Sequence, residues 1–113
     1  MLREELRARF YRLMRDRVFR MEEDFRMFVE ELCRSGLARE VYLVGSRARG
    51  DSMPYSDYDI VLVVGSEVDP LDVVEKVRLT RRARVPLDVV VLREDELGDP
   101  LYGEMLKYKR RLC

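Results

Sequence analysis

Across the first 35 residues, apolar side chains fall at Leu2, Leu6, Phe10, Leu13, Val18, Met21, Phe25, Phe28 and Leu32, mostly three or four apart. Neither Gly nor Pro intervenes before Gly36. This spacing predicts one helical stripe, or two helices jointed near Asp16 to Val18, where the spacing slips. Ser35-Gly36 reads as the stop. From Val41 the period shortens. Val41 to Val44 is a short β-branched strand followed at once by Gly45-Ser46, and Tyr58 to Val64 (YDIVLVV) is a stronger strand stopped by Gly65-Ser66. Asp69-Pro70 opens a helix over Leu71 to Arg84, and Pro86 opens a third strand, Leu87 to Leu92 (LDVVVL). Asp99-Pro100 begins a last helix, with Leu101, Tyr102, Met105, Leu106 and Tyr108 on one side.

That order of elements predicts an α/β (α+β) layer design with about three strands flanked by helices. A chain of 113 residues suits a single domain, 1–113, divided into an N-terminal helical arm (1–36), a core (41–92) and a C-terminal helix (99–113). The arm carries ten basic and nine acidic residues through Glu40, which a solvated helix face explains. Its stripe is long for so small a sheet. The apolar surface left over should be covered by another chain, either a second copy in a homodimer or a helical partner.

Composition narrows the chemistry. The 22 basic and 22 acidic side chains cancel, removing the field that general nucleic-acid binding needs. No apolar run approaches membrane-spanning length and the start Met1-Leu2-Arg3-Glu4-Glu5 is unlike a secretion signal, so a cytoplasmic protein is expected. With no His, serine and cysteine triads and His-ligated zinc or iron are excluded, and any metal must take oxygen ligands. Cys33 and Cys113 are too few for a disulfide framework or a four-Cys site. Cys33 reads as a small buried hydrophobe and Cys113 as a frayed terminus. Asn and Gln are missing and Arg outnumbers Lys 19 to 3, a composition that points to a thermophile.

Chemistry-bearing residues concentrate in Val41 to Val64. Asp57 and Asp59 stand two apart at the mouth of a strand, so both carboxylates project from one face, which Val61 and Val63 continue. Tyr58, Ile60, Leu62 and Val64 take the other face. Asp88 lies one residue inside the third strand, among Leu87, Val89, Val90 and Val91, where a carboxylate costs several kcal/mol unless paired. A helical crossover between these strands fits a parallel pair whose starts lie together, bringing Asp88 beside Asp57 and Asp59. Three carboxylates without histidine suit one or two magnesium ions. The turn Gly45-Ser46, with Ser46 as cap of a short helix through Arg47 to Arg49, offers backbone amides to a phosphate, and Arg47 and Arg49 add donors. Either arginine could instead pair with Asp51 or Glu40.

The stretch GSRARGDSMPYSDYDIVLVV resembles the signature of the minimal nucleotidyltransferases of the DNA polymerase beta-like superfamily. Gly45-Ser46, ten residues, Asp57-x-Asp59 and the later Asp88 match that pattern, as do Ala48-Arg49-Gly50 and Ser56. The resemblance covers Val41 to Leu92, and no motif position departs from it. It implies a mixed sheet and an enzyme that moves a nucleoside monophosphate, AMP from ATP, to a hydroxyl. Asp57 and Asp59 would hold two magnesium ions, with Asp88 on the second and assisting deprotonation of the acceptor. Gly45 and Ser46 would hold phosphates, and Arg47 or Arg49 would balance charge. Relatives of this size are often encoded beside a helical HEPN toxin and can act as its antitoxin, so a HEPN-type partner is the implied acceptor. The alternatives are a non-catalytic subunit that neutralises a helical partner and a stand-alone enzyme acting on a small molecule.

Overall fold

The computed structural model describes residues 2–80 and 85–113. The N-terminal segment is one helix, α1 (Leu2–Ser35), with no joint at Asp16 to Val18. Nothing there interrupts the backbone ladder, and Arg26 bridges Glu23 at 2.9 Å and Glu30 at 2.6 Å on its outer face. Gly36 ends the helix in the left-handed region, at φ 70°. The chain continues through β1 (Glu40–Val44), α2 (Gly45–Arg49), β2 (Tyr58–Val64), α3 (Pro70–Thr80) and β3 (Leu87–Arg93). The expected end of the second long helix, at Arg84, lies outside the described residues. The tail is not one helix. Two 3-10 turns (Glu94–Glu96 and Pro100–Tyr102) and a single helical turn, α4 (Gly103–Leu106), lead to a two-residue strand, β4 (Arg110–Arg111). α4 stops after Leu106, Gly103 itself being helical at φ −58°, and β1 offers a free edge that the last residues pair with instead.

The sheet therefore has four strands rather than three, in the order β3-β2-β1-β4. β2 runs parallel to β3, across the crossover through α3, and antiparallel to β1, giving a mixed sheet. Ile60, Leu62 and Val64 bury one face of β2 against Phe25, Phe28 and Leu32 of α1 and Val73 and Val77 of α3. Val61 and Val63 bury the other face with Tyr42, Val44 and Leu92 under the tail residues Tyr102, Met105 and Leu106. Both faces of the central strand are covered, which is why YDIVLVV is almost continuously apolar. No helix among the described residues is long and apolar enough to cross a membrane.

The two cysteines are bonded to each other. Cys33, on the last turn of α1, and Cys113 form a disulfide with their Cα atoms 6.0 Å apart. The C-terminus is accordingly fixed, with Val41 donating its amide to the Cys113 carbonyl at 2.9 Å and Leu112 donating to the Val41 carbonyl at 2.8 Å. Neither a lone buried thiol nor a frayed end describes these residues.

Candidate functional site

The mouth of the parallel pair β2–β3 sets the site. Register places Asp59 directly beside Asp88, and β1 ends opposite them, with Val44 paired to Asp59. The next residue, Gly45, has φ 73°, and a Cβ there would overlap the Asp59 carboxylate. Glycine thus serves twice: it turns the chain from β1 into α2 and leaves room for Asp59. Gly45→Ala should cost about 1–3 kcal/mol from the backbone conformation alone and also push Asp59 out of place. Denaturant unfolding beside an Ala substitution at Gly98, whose added Cβ meets nothing within 4 Å, checks this.

Asp59, Asp88, Gly45, Arg49, Glu104 and Met105 line an open hollow of about 380 Å³. Burial holds the Asp59 carboxyl above its ordinary value, and the negative charges of Asp88 and Asp57 and a hydrogen bond shared with Asp88 add to this, while Arg49 opposes it. Asp88 itself is exposed, so its apolar strand imposes little of the burial cost its neighbours suggest. Asp57 stands one residue before β2, on the exposed loop, and belongs to the site through its charge rather than by lining the hollow. Among the described residues, no three acidic or sulfur side chains gather closely enough to hold an ion as they stand. The structure brings two of the three expected carboxylates together and leaves the third nearby.

The turn also divides its residues. The N-cap of α2 is Val44, not Ser46, and no side chain caps it. Ser46 instead accepts at its carbonyl from the amides of Gly50 and Asp51, at 3.0 and 3.1 Å. Arg49 lies at the hollow and bonds Asp51 at 3.2 Å. Arg47 points elsewhere: its guanidinium donates to the carbonyls of Ser56 (2.9 and 3.0 Å) and Pro54 (3.2 Å) and lies 3.8 Å from the Tyr58 ring centroid. Tyr58 in turn stacks on Phe25 at 3.9 Å, so a column from α1 through β2 pins the loop that carries Asp57. Glu104 and Met105 had no signal in the sequence, because the break in the tail that turns them toward Asp59 is not visible in its apolar spacing.

This geometry has relatives. The nucleotidyltransferase domain family matches residues 25–112. A protein from Sulfolobus solfataricus, solved as a candidate nucleotidyltransferase, is similar at 32% identity over 87% of this chain and 84% of its own, with a TM-score of 0.61. A toxin–antitoxin structure with AMP-PNP shares the fold at 19% identity and a TM-score of 0.53, over 78% of this chain and 72% of its own. No curated protein matches the chain. A family match spanning most of the chain, and a relative similar along nearly its whole length, agree with the paired carboxylates and the Gly45 turn: the chain belongs to the nucleotidyltransferase domain family.

Proposed function

We propose that this nucleotidyltransferase uses magnesium to move AMP from ATP to a hydroxyl on a helical, HEPN-type partner protein, acting as the antitoxin of such a pair. The observation that carries the reading is Asp59 held beside Asp88 against the Gly45 turn, with the Asp59 carboxyl raised by burial and then by the charges of Asp88 and Asp57. Two adjacent carboxylates with no histidine near are a donor set suited to a hard divalent cation. Asp59 and Asp88 would hold it, with the exposed Asp57 as a nearby third carboxylate. When bound, the metal supplies charge neutralisation for a triphosphate and its departing pyrophosphate. The amide turn at Gly45-Ser46 and the Arg49 guanidinium receive phosphate oxygens. Arg47 acts indirectly, holding the loop of Asp57 in place. In the transfer, an acceptor oxygen bonds the α-phosphorus, the bond to pyrophosphate breaks, and Asp88 takes the acceptor proton. The likeness in fold to a toxin–antitoxin with AMP-PNP supports the choice of ATP and of a protein acceptor.

ATP labelled at the α-phosphate, incubated with this chain and a HEPN-type protein, should label a hydroxyl side chain of that partner only when magnesium is present. Calorimetry should show ATP binding at least tenfold tighter with magnesium than without. Transfer of a γ-phosphate label, or a stable complex that never becomes labelled, would overturn the reading in favour of a kinase or a non-catalytic subunit.

A further inference from the structure

The protein is far from round. Its extents are 63 × 29 × 19 Å and its radius of gyration is 16.8 Å, against about 13 Å for a compact domain of this length. The excess is α1, whose 34 residues make a rod about 51 Å long. Only its second half packs on the sheet, through Phe25, Phe28 and Leu32. On the first half Leu2, Leu6, Phe10 and Leu13 are each more than half exposed, as is Met27 further along. At 3.6 residues per turn, Leu2, Leu6, Leu13 and Met27 fall within about 60° on one side of the helix. The family match begins only at residue 25, so the projecting half lies outside the part matched.

Charge identifies the occupant. Residues 2–20 carry seven basic and three acidic side chains, whereas residues 21–35 carry two basic and five acidic ones. The acidic half borders an open hollow of about 420 Å³ floored by Met27 and Phe28, rimmed by Asp24, Glu30, Glu31 and Arg34, with Arg26 bridging Glu30 at 2.6 Å, and closed by Thr80 of α3. A basic helix with a row of large apolar side chains fits that hollow, and the chain's own projecting half is such a helix. We infer that two copies pair antiparallel along α1, with the basic, apolar half of each helix lying on the acidic hollow of the other. A two-fold axis near Val18 sets Phe10 and Leu6 on either side of the Met27–Phe28 floor and Arg12 opposite Asp24. Both halves are used twice, as a closed two-fold dimer requires. The surface is independent of the catalytic reading, since the Asp59–Asp88 hollow is built from other elements.

Sedimentation of the intact chain over a dilution series should give a dimer at micromolar concentration, loosening as salt is raised. A variant carrying Arg9→Glu and Arg12→Glu should dissociate at least tenfold more readily, and so should one carrying Asp24→Lys and Glu30→Lys. Mixing the two should restore a dimer containing one copy of each, because each reversed half then meets an opposite charge. A wild-type monomer at every concentration and salt, whatever other protein the helix then binds, would overturn the proposal. So would reversed variants that dimerise as the wild type does, or a mixture that stays monomeric.

Discussion

Asp59→Asn should lower nucleotidyl transfer by on the order of a thousandfold and at the same time make the metal-free protein more stable. The loss follows from removing one of two carboxylates that face the same hollow: metal-derived charge stabilisation is worth several kcal/mol, and about 1.4 kcal/mol is tenfold in rate. The gain follows from the direction of the Asp59 shift. Its carboxyl titrates above its ordinary value in the folded chain, first through burial and then through Asp88 and Asp57. A raised carboxyl contributes to stability while protonated, below its unfolded value, and loses that contribution as pH rises through its folded value. Asn cannot ionise and keeps the neutral state at every pH. Melting curves without metal should therefore show the variant pulling ahead of the wild type by a few degrees as pH climbs from 4 to 8. A gap independent of pH would contradict the assigned cause, and unchanged transfer would contradict the assigned role.

The same pair shows what could be read from the residues alone. The continuous run YDIVLVV marks a strand covered on both faces, and a helical crossover of ordinary length to LDVVVL fixes a parallel pair. Those two facts set Asp59 beside Asp88 before any coordinates exist. Asp57 was harder, because strand pairing decides where a strand starts: β2 begins at Tyr58, so the period-two rule that would align Asp57 with Asp59 ends one residue too late for it. Arg47 shows the opposite limit. Two arginines flanking Ala48 look equivalent in the sequence, yet a stacked Phe25–Tyr58 pair captures one and leaves the other at the hollow. In the tail, Leu101 to Tyr108 has helical spacing, but the open edge of β1 competes for the last residues and wins. Pairings between distant residues are invisible to local periodicity.

The largest of those distant pairings is Cys33 to Cys113, which closes a loop of 80 residues of sequence separation. Chain entropy puts the stabilisation from a cross-link of that span at about 4 kcal/mol, or on the order of 20 °C in melting temperature for a domain this small. The native state can realise it because the C-terminus is already placed: Leu112 and Cys113 exchange backbone hydrogen bonds with Val41, so the bond joins two ends that the sheet has brought together. The same argument says where the loss should appear. Without the bond, β4 has only two residues paired to β1, too few to hold an edge against fraying, and the tail that covers Val61 and Val63 loosens from its end. Reductant should therefore lower the melting temperature of the wild type and speed amide exchange at Val41 and Leu112 more than at Ile60 or Leu62. A chain carrying Cys33→Ser and Cys113→Ser should melt where the reduced wild type does and ignore reductant. Equal melting of oxidised and reduced wild type would show that the bond fastens nothing the sheet had not already fastened.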